Sequence, residues 1–166
     1  MHRRRWQWLS LSMLILILDQ YSKVVAWHRL AAPGVTVHYL PALNFSLAFN
    51  RGAAFSFLSD ASGWQNIFFI GLTSVFLIWL VRWLLRATTA GESIALALII
   101  GGAMGNGLDR CHYGFVVDFI DVHLGVYHWP TFNVADSAIC IGVGLLMWVN
   151  KGWRARKDSN LRPPSS

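Results

Sequence analysis

Four long apolar runs, separated by polar or alternating stretches, organise the chain. The first, from Trp6 to Trp27, is nearly unbroken between Leu9 and Leu18 and carries a tryptophan at each end. At a helical rise of about 1.5 Å per residue, such a run crosses the roughly 30 Å hydrocarbon core of a bilayer. Three more spans are expected at about 64–85, 93–108 and 132–150, the second interrupted only by Gln65, Asn66 and Arg82. The intervening segments 28–63 and 109–131 contain no run long enough to span. Val35-Thr36-Val37-His38-Tyr39-Leu40 alternates with period two between turn signals at Pro33-Gly34 and Pro41, and Gly114 to Val122 is also strand-like. The pattern predicts an all-α membrane core, a four-helix transmembrane bundle, with a small extracytoplasmic β-rich cradle. Residues 1–153 form one domain in this reading. The basic, then Pro- and Ser-rich tail 154–166 is expected to be disordered.

Composition sharpens the class. Hydrophobic residues make up 55% of the 166 and charged residues 13%, against roughly 25% charged in soluble domains. The nine tryptophans fit interfacial belts. A net charge of +6 would suit nucleic acid, but the placement of the basic residues argues against it. Arg3, Arg4, Arg5, Arg82, Arg86, Lys151, Arg154, Arg156, Lys157 and Arg162 account for 10 of the 14 lysines and arginines and fall on one side of the four spans. The positive-inside rule makes that side cytoplasmic, with both termini inside. Asp19, Asp60, Asp109, Asp118, Asp121 and Asp136 then lie toward the outer face, where the chemistry belongs. The Arg3-Arg4-Arg5 lead also resembles a signal peptide, but Asp19 and Lys23 stand where a cleaved segment would be apolar or small. Cys111 and Cys140 match no metal or redox spacing, and free thiols are expected.

Asp118 sits within the apolar run Phe115 to Ile120, and Asp136 heads the run Val134 to Val149. An isolated carboxylate in such a setting is costly. Two of them invite a pairing in which one keeps a proton and serves as acid while the other serves as base. Asp19 and Lys23 are i, i+4 in the favoured order. They read as an ion pair locking the first span to its neighbours ahead of direct catalysis. Asn106, Asp109 and Arg110 share the outer end of the third span behind Gly101, Gly102 and Gly105. They form either a polar face turned into the helices or a capped end with a snorkelling arginine. Asn50-Arg51-Gly52 reads as a turn able to offer amide donors. His112, His123 and His128 beside Asp118 and Asp121 raise a metal alternative, although their spacing matches no HExxH pattern. A small proton-coupled transporter or channel subunit is the competing class; it predicts polar groups spread through the membrane depth rather than gathered at one end.

Five blocks, Asp19-Gln-Tyr-Ser-Lys23, Asn50-Arg-Gly-Ala-Ala-Phe55, Gly101-Gly-Ala-Met-Gly-Asn-Gly-Leu-Asp-Arg110, Val116-Val-Asp-Phe119 and Phe132-Asn-Val-Ala-Asp136, closely resemble the bacterial lipoprotein signal peptidases (signal peptidase II) in content and order. The resemblance implies an aspartyl endopeptidase of the bacterial inner membrane. Such an enzyme removes signal peptides from diacylglyceryl-modified prolipoproteins, cutting just before the lipidated cysteine. It implies Asp118 and Asp136 as the dyad. Asn50, Gly52, Asn106, Arg110, Asn133 and Ala135 are implied as substrate-binding or dyad-supporting positions, Asp19 and Lys23 as a structural pair, and globomycin-type peptides as inhibitors. The aspartate chemistry calls for neither metal nor another cofactor. Phe55, Phe57 and Phe119 are candidates to clamp the substrate.

Overall fold

The structure, a computed structural model, describes residues 6–30, 32–52 and 64–160, with side chains as far as Lys151. Phe55 and Phe57 lie outside the described residues. Among the described residues, four helices are long and apolar enough to cross a membrane: α1 (Trp8–Arg29), α2 (Trp64–Leu84), α3 (Ala90–Tyr113) and α4 (Val134–Asn160), the last through its apolar portion Val134–Lys151. Between them run four strands, β1 (Thr36–Leu40), β2 (Leu43–Asn50), β3 (Val116–Leu124) and β4 (Tyr127–His128). They form one antiparallel sheet in sequence order.

Apolar side chains face outward as well as inward, as a lipid solvent requires. On α2, Ile67, Phe68, Leu72, Val75, Phe76, Ile78 and Trp79 are all exposed. The inward face of α2 instead puts Leu80 and Leu84 against Leu96, Ile99 and Ile100 of α3. The third helix is the hub, packing on α1, α2 and α4. Its glycines permit that. A Cβ at Gly101 would lie 2.7 Å from the Ser12 carbonyl of α1. At Gly102 it would strike the Ala135 carbonyl of α4, and at Gly105 the Asp19 carboxylate. From the facing side, a Cβ at Gly142 of α4 would lie 2.8 Å from the Ala95 carbonyl. Association inside a bilayer rests on such close backbone approach, because lipid tails leave no hydrophobic drive between helices.

The ends of α3 are set locally. Thr89 Oγ1 accepts the Glu92 N–H at 3.2 Å while the Glu92 carboxylate accepts the Thr88 N–H at 2.9 Å, a reciprocal N-terminal cap. Gly114, at φ 79°, stops the helix in the left-handed conformation, its N–H bonding the Arg110 carbonyl at 3.2 Å. The helix therefore runs past Leu108, and Asp109 to Tyr113 are its last turn rather than the start of the loop. Beyond Gly114 the chain turns into β3, whose residues Val116 to Phe119 are buried on both faces. Ala26, Leu30, Leu47, Val117 and Phe119 form the core where the sheet meets the end of α1. Trp27 closes it with Phe49, Tyr113 and Phe115 at centroid distances of 5.0, 5.2 and 5.9 Å.

Candidate active site

Asn133 and Asp136 begin α4 with a reciprocal cap. The Asn133 side-chain oxygen accepts the Asp136 N–H at 2.9 Å, and Asp136 Oδ2 accepts the Asn133 N–H at 3.2 Å. Asp136 is thereby fixed in the first turn, where a helix favours a negative charge. The Asn133 amide nitrogen reaches the other way, to Asp118 Oδ1 at 2.7 Å and the Val117 carbonyl at 3.3 Å. One fully buried asparagine therefore touches both carboxylates. On the far side, Asn106 Nδ2 donates to Asp136 Oδ1 at 2.7 Å, and its Oδ1 accepts from Asn133 Nδ2 at 3.2 Å.

Asp118 is delivered by β3, paired across from Ala48 of β2. Two places along β2, Asn50 stands close enough for its side chain to favour the Asp118 charge. Its side-chain oxygen is occupied by the Gly52 N–H at 2.8 Å. Gly52 holds φ 96°, and a Cβ there would run into the Phe69 ring, so the turn accepts only glycine on two counts. Burial, then the charge of Asp136, push the Asp118 carboxyl up to about 6, against the pull of the Asn50 and Asn133 amides and of Lys23. Three residues on and on the opposite face of the strand, Asp121 behaves in the contrary way. Burial works against its charge, yet hydrogen bonds from His128 (2.8 Å) and Asn44 (3.2 Å) hold it below the usual carboxylate range. Phe119 lies in the core between sheet and α1, 6.5 Å in centroid distance from Phe45.

Arg110 borders the same site. Its guanidinium lies 5.3 Å from the Phe69 ring centroid and within electrostatic reach of Asp136, Asp118 and Asp109. Its carbonyl takes the Asn66 amide at 3.0 Å, tying α2 to the end of α3. Beneath the dyad, Lys23 Nζ meets Asp19 at 2.8 Å, Asp109 at 2.9 Å and Asn106 Oδ1 at 3.0 Å. Asp19 also accepts the Ala135 N–H at 2.8 Å, capping an otherwise unpaired donor of α4. The ten positions that the family resemblance implies, Asp19, Lys23, Asn50, Gly52, Asn106, Arg110, Asp118, Asn133, Ala135 and Asp136, thus converge on one region. Gln20 and the full part of Asp109 escaped the sequence reading: Gln20 Nε2 donates to Asp109 Oδ1 at 2.8 Å, and Asp109 Oδ2 accepts the Val117 N–H at 3.1 Å. The available signal was the place of Gln20 beside Asp19 in the short polar block that interrupts the apolar run of α1. The histidines lie elsewhere: His123 and His128 stack at 4.9 Å, and His128 bonds Asp121 rather than Asp118.

Four helices of membrane-crossing length and a sheet-borne carboxylate set against one at a helix start define a multi-pass membrane protein built around an acidic pair, Asp118 buried and Asp136 half-buried. Solved structures share this architecture. A bacterial membrane enzyme determined by the in meso method at 2.3 Å resolution superposes with a TM-score of 0.78 at 30% identity, covering 96% of this chain and 94% of the other. A second, at 1.9 Å resolution, gives 0.76 at 32% identity over 86% and 91%. The chain belongs to the signal peptidase (SPase) II family, whose family model matches residues 11–150. The lipoprotein signal peptidase of Coxiella burnetii (strain Dugway 5J108-111) is 52% identical over 148 residues, 87% of this chain and 90% of the relative. That of Polynucleobacter necessarius subsp. necessarius (strain STIR1) is 47% identical over 144 residues, 86% and 87%. Membership makes the chain a protease of lipoprotein processing.

Proposed function

We propose that Asp118 and Asp136 are the catalytic dyad of an aspartyl endopeptidase that cuts diacylglyceryl-modified prolipoproteins just before the lipidated cysteine, at the outer face of the inner membrane. The carrying observation is Asn133, whose amide and backbone N–H hold Asp118 and Asp136 respectively, at 2.7 and 3.2 Å, so that the two carboxylates address one point. The raised Asp118 carboxyl supplies the second requirement, a pair that keeps one proton between them up to about pH 6.

In this mechanism the ionised carboxylate takes a proton from a water between the pair. The resulting hydroxide attacks the scissile carbonyl carbon, and the protonated carboxyl gives its proton to the carbonyl oxygen, forming a neutral gem-diol. Collapse breaks the C–N bond as the carboxyl that first accepted a proton delivers it to the leaving amine, and the diol's proton returns to its partner. Atoms and charges balance without a covalent intermediate. Asn50, Asn106 and Asn133 hold the carboxyl oxygens in line. Arg110, beside Phe69, offers guanidinium donors to the substrate backbone.

The four helices act as a transmembrane bundle and the sheet as an extracytoplasmic cradle. Asp136 stands in the first turn of the apolar portion of α4, so the acyl chains of the substrate stay in lipid while its peptide meets the cradle. The lysine and arginine distribution puts both termini in the cytoplasm. Globomycin-type peptides inhibit by occupying the dyad cleft.

Asp118→Asn and Asp136→Asn, expressed separately and assayed on lipidated and unlipidated precursor with membrane levels checked by blot, test the reading. Normal accumulation with no cleavage by either variant, and wild-type cleavage of the lipidated form alone, is the expected outcome. Wild-type cleavage by either variant sinks the dyad assignment.

A further inference from the structure

Asp109 takes no part in the mechanism above, yet it is buried, and its two oxygens are placed with care. Oδ1 accepts from Gln20 at 2.8 Å. Oδ2 accepts from Lys23 at 2.9 Å and from the Val117 backbone N–H at 3.1 Å. Val117 immediately precedes Asp118. At this point β3 pairs with β2 on one side only, because its other edge is met by Phe132 no earlier than Phe119 and by β4 no earlier than His123. A strand edge left without an acceptor inside apolar surroundings is costly, and the Asp109 carboxylate stands in for the missing strand.

The other end of the same ion cluster repeats the device. Asp19 Oδ1 accepts the backbone N–H of Ala135 at 2.8 Å, and Ala135 immediately precedes Asp136. Its Oδ2 lies 2.8 Å from Lys23 Nζ. One ammonium therefore joins two buried carboxylates, each gripping the peptide just before a dyad aspartate, one on a strand and one on a helix. The third acceptor of Lys23, Asn106 Oδ1 at 3.0 Å, belongs to the side chain that donates to Asp136. Gly105 makes room for Asp19 in this arrangement, since a Cβ there would collide with the carboxylate.

We infer that Asp19, Lys23 and Asp109 form a spacing gauge that sets the separation of Asp118 and Asp136, with Asp109 and Gln20 as positioning residues for the Asp118 strand. The inference rests on the dyad reading and extends it. The two carboxylates must address one water together, and misplacement by about 1 Å costs on the order of 10²-fold in rate. Mere anchoring of α1 to α3 would need only the Lys23–Asp109 contact. The gauge needs the two backbone grips and the shared cation.

The experiment compares purified Asp109→Asn, Gln20→Met, Asp118→Asn and Ser12→Ala in detergent on lipidated precursor, reading kcat, KM, the pH profile of kcat/KM and thermal unfolding. Ser12 ties α1 to the Ala97 carbonyl at 2.9 Å, remote from the dyad, so Ser12→Ala reports a loss of stability alone. The gauge requires kcat of Asp109→Asn to fall about 10²-fold with KM within a few-fold. It also requires a displaced basic limb of the pH profile, because the mutual influence of Asp118 and Asp136 changes with their separation. Gln20→Met, which leaves every charge paired, loses a smaller factor of about 3 to 10 in kcat, a partial version of the same misplacement. If Asp109→Asn cleaves with wild-type kcat and profile, or loses rate only in proportion to its folded fraction as Ser12→Ala does, the gauge is overturned while a dead Asp118→Asn keeps the dyad. Where Asp109→Asn fails to fold, Gln20→Met decides, a wild-type kcat and profile overturning the inference. An active Asp118→Asn overturns the dyad itself.

Discussion

Asp118 and Asp121 share a strand, three residues apart, and are pushed in opposite directions by what surrounds them. Asp118 is buried beside Asp136 and rises to about 6; Asp121 is held low by His128 and Asn44. The difference is the physical basis for giving one a proton to trade and the other a structural charge. Cleavage needs the dyad singly protonated, so kcat/KM should fall tenfold per pH unit above about 6 in the free enzyme. Removing the like charge with Asp136→Asn should lower the Asp118 titration midpoint, followed by carboxyl NMR. An unmoved midpoint would leave burial as the sole cause. Asp121→Asn makes the opposite test. Its depressed value contributes stability above the ordinary carboxylate pKa of 3.8, lost as pH falls through the folded value. The variant should therefore unfold more easily at pH 7 by about 1–3 kcal/mol, match the wild type at strongly acid pH, and retain kcat. Asn133 separates two roles in one side chain. Asn133→Ala should cost about 1 kcal/mol as a lost cap and on the order of 10²-fold in kcat as a lost preorganised donor. Asn133→Ser, still a good cap, should restore unfolding temperature but not rate.

At the level of elements, close approach between helices carries the site. Gly105→Ala forces a methyl onto the Asp19 carboxylate, and overpacking of that kind costs about 1–3 kcal/mol. Gly144→Ala on α4 meets open space, so it should leave unfolding and cleavage unchanged; both are read from thermal unfolding and turnover in the same detergent. The contrast also marks what the sequence could and could not disclose. The spans were legible because apolar runs of membrane length have few other uses, and the alternation at Thr36–Leu40 announced β1. The strand β2 is harder, since Leu43 to Asn50 takes its state from pairing with β3, whose partner residues stand 66 (Asn50 to Val116) to 79 (Leu43 to Val122) positions away. The apolar pattern ends α3 at about Leu108, whereas Gly114 with its positive φ sets the stop after Tyr113. Among site residues, Asp118, Asp136 and the Asp19–Lys23 pair stood out as charges in apolar surroundings. The partnership of Gln20 with Asp109 did not, because nothing local says that a glutamine on α1 faces an aspartate on α3.

For the whole molecule, the decisive quantity is which side of the bilayer the sheet occupies, since a lipoprotein precursor presents its lipidated cysteine at the outer leaflet. In chain order ten of the 14 basic residues fall at the ends of the spans away from the sheet-forming segments, a bias of the kind that orients a chain during insertion. The turn between α2 and α3 belongs to the basic side, and exposed Thr88 lies in it; Tyr127 stands on β4 and is 81% exposed. Cys111 and Cys140 are free and exposed, so a background of Cys111→Ser and Cys140→Ser is needed before single cysteines are introduced. In that background, Tyr127→Cys should react with a membrane-impermeant maleimide in intact spheroplasts, and Thr88→Cys only after the membrane is opened. The reverse pattern would put the dyad on the cytoplasmic side, where an outer-leaflet precursor never arrives. The same aspartates would then need a different substrate, whatever their geometry. The expected pattern, together with retained cleavage, joins the charge bias in the loops to the site it orients: the basic ends hold the chain so that Asp136 opens α4 at the leaflet where the scissile bond is offered.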